Sequence, residues 1–101
     1  MMSINKTYVL NYLKEKKEEI NNNLGINLVA IFGSVARDEA TSSSDIDILY
    51  STKKGTLNIH DNKIKLKKEL KDKFGVNIDL ASMKYIKPYA KDIIQKELVY
   101  V

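Results

Sequence analysis

The chain has 101 residues, 44% of them apolar, a formal net charge of +4 and no cysteine. This composition predicts one folded domain over residues 1–101, and it excludes disulfides and thiolate metal sites. Because there is no apolar run near 18 residues and no signal-peptide layout at the N-terminus, we expect a cytoplasmic protein without a membrane span.

The predicted elements alternate between helices and strands along the chain. Helical spacing of apolar residues and short β-prone runs place helices at about 4–24, 34–38, 57–74 and 88–96, and strands at 26–32, 45–50 and 76–80. Ile93 and Ile94 are expected to face inward. The apolar end, 98–101, is either a final strand or an edge covered by a partner. The order predicts an α/β fold with a mixed sheet of about four strands packed with helices.

Two aspartates stand at the start of the second predicted strand. Strand alternation places Asp45 and Asp47 on one face and Ile46 and Ile48 on the other. Two neighbouring carboxylates repel each other, and a hard divalent cation such as Mg²⁺ relieves that repulsion. An Asp-x-Asp pattern alone is more often a solvated strand face than a metal site, so it needs support from elsewhere in the chain.

That support begins at a glycine–serine pair after the first strand. Gly33 allows a sharp turn and the close approach of a ligand, and Ser34 is predicted to cap the following short helix and face an anion. An ordinary strand-to-helix turn would also explain this pair. Ser44 directly precedes Asp45, and it is expected to orient that carboxylate or contact a phosphate.

A third carboxylate lies on the next predicted strand. In Val76–Leu80 the apolar residues share one face, which leaves Asp79 on the other. If this strand pairs beside the second one, Asp79 joins Asp45 and Asp47. Three carboxylates opposite a phosphate-binding turn suit two-metal phosphoryl or nucleotidyl transfer.

The pattern Gly33-Ser34, ten residues, then Asp45-Ile46-Asp47 resembles the active-site signature of the polymerase-β-like nucleotidyltransferases. The segments Gly33–Arg37 and Ser44–Leu49 are most similar to the minimal nucleotidyltransferases, and the resemblance covers nearly the whole chain. It implies the polymerase-β-like fold, Mg²⁺ (one or two ions) held by Asp45, Asp47 and Asp79 as catalytic residues, and ATP bound by Gly33, Ser34, Arg37 and Ser44.

The resemblance also implies a reaction and a partner. Many minimal members are antitoxins paired with a HEPN-domain toxin, and can transfer AMP from ATP to a toxin tyrosine. We therefore expect a hetero-oligomer in which this chain modifies its partner. Two alternatives remain open: a non-catalytic module that covers the toxin, and a transferase that modifies a small molecule such as an antibiotic.

Arg37 is the only arginine among 17 basic residues. Its position suits a phosphate contact, but a salt bridge with Asp38 or Glu39 explains it nearly as well. Asp38 stands where related sequences often carry glycine. Since base readout favours arginine, we interpret the lysines as surface solvation first and partner attraction second, and we do not expect direct nucleic-acid binding.

Overall fold

A computed structural model describes residues 4–41, 43–85, 92 and 96–101. The elements are α1 (Lys6–Leu24), β1 (Ile26–Phe32), α2 (Gly33–Ala36), β2 (Ile46–Thr52), α3 (Ile59–Phe74), β3 (Ile78–Ser82) and β4 (Val99–Tyr100). This order confirms the predicted α/β fold. The helix expected over 88–96, with Ile93 and Ile94, lies mostly outside the described residues.

The strands form one mixed sheet in the order β3-β2-β1-β4. β1 runs antiparallel to both β2 and β4, whereas β2 and β3 are parallel and are joined by the crossover helix α3. β4 pairs through Tyr100 with Ala30 and through Val99 with Ile31. The apolar end of the chain is therefore a strand at the edge of the sheet.

The two long helices begin and end at residues suited to those positions. The Asn5 side chain caps α1 by accepting a hydrogen bond from the Tyr8 amide at 2.8 Å, so the helix starts at Lys6 and not at Ile4. Gly25 and Gly75 end α1 and α3 in the left-handed conformation. No helix in the described part of the chain combines the length and apolar character needed to cross a bilayer.

The hydrophobic core lies between one face of the sheet and the two long helices. Ile46, Ile48 and Tyr50 of β2 pack in it with residues such as Leu13 of α1 and Leu66 of α3. Because side chains alternate along a strand, the intervening Asp47 projects from the opposite face. The core therefore fixes which face of β2 presents the carboxylate.

A register shift in β1 changes which of its side chains share that face. Leu28 pairs with Tyr50, but Ala30 pairs with Leu49 and Phe32 with Asp47, which marks a bulge near Val29. Cross-strand partners lie on the same face of a sheet, so Phe32 ends β1 on the Asp47 side. Simple alternation would have placed Phe32 toward the core.

β3 begins two residues later than predicted. Gly75 adopts φ 74°, the chain bends through Val76, and the Asn77 carbonyl accepts a hydrogen bond from the Ile46 amide at 3.0 Å. This contact opens the parallel ladder, in which Ile46 pairs with Ile78 and Asp47 with Asp79.

Candidate active site

The turn after β1 brings the backbone of Gly33 against the side chain of Asp47. Gly33 adopts φ 75°, and a Cβ at this position would lie 3.2 Å from Asp47 Cγ and closer still to Oδ2. Both the left-handed backbone and the lack of space call for glycine. The structure therefore brings Gly33 and Asp47 together, as the sequence pattern predicted.

The capping role predicted for Ser34 is wrong. α2 starts at Gly33, its N-cap position is Phe32, and no side chain donates to or accepts from that end of the helix. Ser34 lies inside the first turn, where its carbonyl accepts a hydrogen bond from the Glu39 amide at 2.8 Å. The glycine, with its positive φ, already starts the helix, so the serine is displaced from the capping position.

Asp47 and Asp79 are direct neighbours on the parallel strands β2 and β3. Their pairing places both side chains on the face of the sheet away from α1 and α3. Asp47 is partly buried, and Asp79 is exposed. Asp45 comes just before β2 and is also exposed. The structure thus brings the two strand carboxylates together, with the third at the entrance to the strand.

These carboxylates act on one another electrostatically. The pKa of the Asp47 carboxyl is raised from 3.8 to about 6, first by burial, then by the negative charges of Asp79 and Asp45 and a hydrogen bond with Asp79. The positive charge of Arg37 opposes this change. The site therefore holds more negative charge than its own cation balances, which is the condition that a bound divalent ion would relieve.

The donor set fits a magnesium ion in its chemistry. Carboxylate oxygens are the ligands that Mg²⁺ prefers, and it also takes phosphate oxygens and water. Among the residues that the structure describes, no three Asp, Glu, His or Cys side chains converge tightly enough to form a complete metal-binding group. Since Asp45 and Asp79 are both exposed, rotating their side chains toward Asp47 sacrifices no packing.

Arg37 is held by two acids. Its Nε donates to Glu39 Oε2 at 3.1 Å, and its NH1 donates to Glu97 Oε1 at 3.0 Å. Of the two alternatives drawn from the sequence, the salt bridge is therefore the one observed, with Glu39 and not with Asp38. Glu97 could not have been found from the sequence, because it lies 60 residues away and belongs to no recognisable pattern.

Asp38 and Ser44 both take part in local backbone contacts. Asp38 adopts φ 60°, a conformation that favours glycine, and its Oδ1 accepts a hydrogen bond from the Lys6 amide at 3.3 Å. Its carboxylate thus faces the start of α1. Ser44 Oγ accepts from the Thr41 amide at 2.8 Å and closes the turn that leads into Asp45.

The sequence matches the nucleotidyltransferase domain family over residues 12–101. A Methanocaldococcus jannaschii protein provisionally named a protein adenylyltransferase is 36% identical over 92 residues, which cover 88% of this chain and 90% of that protein. The protein adenylyltransferase MntA of Thermococcus cleftensis is 30% identical, with 88% of each chain covered.

Solved structures agree with this relationship. A structure provisionally described as a minimal nucleotidyltransferase superposes with a TM-score of 0.77 at 26% identity and covers all of both chains. A toxin–antitoxin structure with AMP-PNP superposes with a TM-score of 0.64 at 19% identity, over 95% of this chain and 71% of the other, which shows a shared fold. The chain therefore belongs to the nucleotidyltransferase domain family and has the fold of its minimal members.

Proposed function

We propose that this nucleotidyltransferase transfers AMP from Mg²⁺-bound ATP to a tyrosine hydroxyl of a HEPN-domain toxin, and so acts as its antitoxin. The observation that carries the proposal is the placement of Asp47 between the Gly33 turn and Asp79. Two further observations support the partner: relatives are named protein adenylyltransferases, and structures of the same fold come from toxin–antitoxin complexes. Because ATP is an intracellular substrate, we propose that the reaction takes place in the cytoplasm.

In this proposal the residues of the site have separate tasks. Asp45, Asp47 and Asp79 hold Mg²⁺, which when bound neutralises negative charge on the triphosphate and on the carboxylates. The backbone at Gly33 and Ser34 approaches the phosphates, where only a residue without a side chain leaves room beside Asp47. Ser44 holds the turn before Asp45, and Arg37 lies close enough to Asp47 to act on it electrostatically.

The transfer itself is a substitution at the α-phosphorus. The acceptor hydroxyl oxygen forms a bond to that phosphorus, the bond to the β-phosphate oxygen breaks, and pyrophosphate leaves. The proton of the hydroxyl passes to Asp79, whose exposed position at the edge strand β3 allows an incoming side chain to reach it.

A double substitution tests the chemistry. Asp45→Asn with Asp47→Asn should abolish transfer of label from α-labelled ATP, while the protein stays folded because the change removes mutual repulsion. Glu18→Gln, an exposed position on α1, is the matched control and should transfer label like the unsubstituted protein. Undiminished transfer by the double variant would contradict the assignment of these carboxylates.

A second experiment tests the acceptor. Co-expression with the product of the neighbouring gene, followed by intact-mass measurement of that partner, should reveal added AMP and loss of its ribonuclease activity. If the double Asn variant neutralises the partner equally well, the chain acts by covering it. If purified aminoglycosides accept label without any protein partner, the chain is a small-molecule transferase.

A further inference from the structure

A groove of about 920 Å³ opens at the far end of β2 from the carboxylates. It lies between the β2–α3 connection, the start of α3 and the turn after β3, and we call it the basic groove. With about 3.3 Å per strand residue, Thr52 at its wall lies roughly 17 Å along β2 from Asp47. The residues of the basic groove are Tyr50, Ser51, Thr52, Lys53, Lys54, Gly55, Thr56, Ile59, His60, Lys63, Ser82, Met83, Lys84 and Tyr85.

The charge of the basic groove is of one sign. Four lysines line it, at positions 53, 54, 63 and 84, and no Asp or Glu does so in the described part of the chain. Outside the groove, the sequence contains 13 basic and 13 acidic residues and is formally neutral. The whole excess of +4 is therefore carried by this one concave surface. Within the described ranges, none of these lysines forms an ion pair.

Aromatic rings lie among these charges. Lys63 Nζ is 5.3 Å from the centroid of the buried Tyr50 ring, and Lys84 Nζ is 5.6 Å from that of Tyr85. Tyr85 is 77% exposed. A tyrosine ring left in solvent beside a row of cations offers a flat apolar face to a ligand that also carries negative charge.

Backbone hydrogen bonds fix the walls of the basic groove before any ligand arrives. The Lys53 amide donates to the Gly25 carbonyl at 2.8 Å, and the Met83 amide donates to the Tyr50 carbonyl at 2.9 Å. The Lys84 amide donates to Ser82 Oγ at 3.2 Å and shapes the turn that carries Tyr85. Binding therefore does not require the walls to be ordered first.

We propose that the basic groove binds single-stranded nucleic acid, with its lysines on the backbone phosphates and Tyr85 stacked on a base. Positive grooves with aromatic platforms bind single strands with little sequence preference. A duplex keeps its bases stacked internally, and an acidic peptide has no regular row of planar rings for Tyr85. The scarcity of arginine argues only against base readout, because neutralising phosphates needs no bidentate donor.

The test is fluorescence anisotropy of the full chain with a labelled 12-nucleotide single strand of mixed sequence, as RNA and as DNA. Four phosphate contacts predict that affinity falls roughly 50-fold between 50 and 200 mM KCl, from a slope of about 0.7 per contact. Tighter binding of RNA than of DNA would identify the 2′-hydroxyl as a contact, and equal binding would identify the shared backbone as the ligand.

Substitutions locate the binding. Lys53→Gln with Lys54→Gln should lower the salt slope by about 1.4, whereas the control pair Lys67→Gln with Lys68→Gln, exposed on α3 outside the groove, should leave it within about 0.3. Tyr85→Ala should weaken binding by about fivefold or more, while Tyr85→Phe keeps the stacking surface and the affinity. Thermal melting confirms that each variant is folded.

Three results would overturn the proposal. These are no binding at 50 mM KCl, an equal loss in the groove pair and the control pair, and competition by polyglutamate that depends on Tyr85 as strongly as the nucleic acid does. AMP transfer is measured in the same variants and should not change, because no groove residue belongs to the proposed chemistry. Failure of either function can therefore be distinguished from failure of the other.

Discussion

The carboxylate of Asp47 occupies the space into which a side chain on Gly33 would project. The two residues come from neighbouring strands, since Phe32 at the end of β1 is the cross-strand partner of Asp47. The backbone of the turn and the most perturbed carboxylate of the molecule are thus in direct contact. A change on either side of this contact alters the other.

We expect Gly33→Ala to damage both stability and transfer. The left-handed φ of 75° costs about 1 kcal/mol for any L residue with a Cβ, and the contact with Asp47 adds strain of about 1–3 kcal/mol. Gly55→Ala is the control, because Gly55 has φ 83° but nothing lies within 4 Å of its Cβ position. Urea denaturation should show the larger loss for Gly33→Ala, and equal losses would mean that Asp47 moves aside freely.

Stability should depend on pH through Asp47. Its pKa is 3.8 unperturbed and about 6 in the folded protein, so the folded state binds the proton more tightly. This contribution to the free energy of unfolding is intact below about pH 4 and is lost as the pH rises to about 6. Because the group is only partly buried, screening reduces the effect to about 1 kcal/mol.

Asp47→Asn removes that dependence. In EDTA we expect the variant to melt about 5 °C above the unsubstituted protein at pH 8, and at the same temperature at pH 4. Glu18→Gln, exposed and outside the site, controls for the loss of one negative charge. A variant less stable than the unsubstituted protein at pH 8 would show that the repulsion is not released by the substitution.

Magnesium should stabilise the protein where Asp47 is ionised. At a concentration 100 times the dissociation constant, a ligand specific for the folded state adds about 2.7 kcal/mol. We expect the shift in melting temperature on adding Mg²⁺ to be larger at pH 8 than at pH 5, because a protonated carboxyl does not bind the ion. Asp79→Asn should lose most of the shift. A shift independent of pH and of Asp79 would place the ion elsewhere.

The contact between Arg37 and Glu97 can be tested for its effect on nucleotide binding. Glu97→Gln should cost less than about 1 kcal/mol of stability, because the pair is partly exposed. If Arg37 also contacts phosphate, releasing it from Glu97 should lower the KM for ATP, and Arg37→Gln should raise it. Matching KM values in both variants would confine Arg37 to a structural role.

The position of the three carboxylates was largely predictable, because strand alternation depends only on local geometry. Asp45, Asp47 and Asp79 follow from apolar neighbours that had to face the core. The bulge near Val29 was not predictable, since alternation in β1 gives no sign of an extra residue, yet it decides the face of Phe32. Ser34 was assigned the wrong local role because the glycine before it starts the helix.

Contacts between distant residues were beyond the reach of sequence patterns. The pair of Arg37 and Glu97 depends on where β4 enters the sheet, and that is set by tertiary packing. The four lysines of the basic groove are separated along the chain, and the ends of two parallel strands bring them together. Composition supplied only their number, and the excess charge was therefore interpreted as general surface solvation.

The parallel pairing of β2 with β3 has a consequence for folding kinetics. β3 is an edge strand held by a single neighbour, and it reaches that neighbour only after the chain has closed a long crossover through α3. The juxtaposed acids oppose this late docking step, so a divalent ion should slow the detachment of β3 more than it accelerates folding. Amide hydrogen exchange along β3, with and without Mg²⁺, would then report the assembly of the chemical centre in real time.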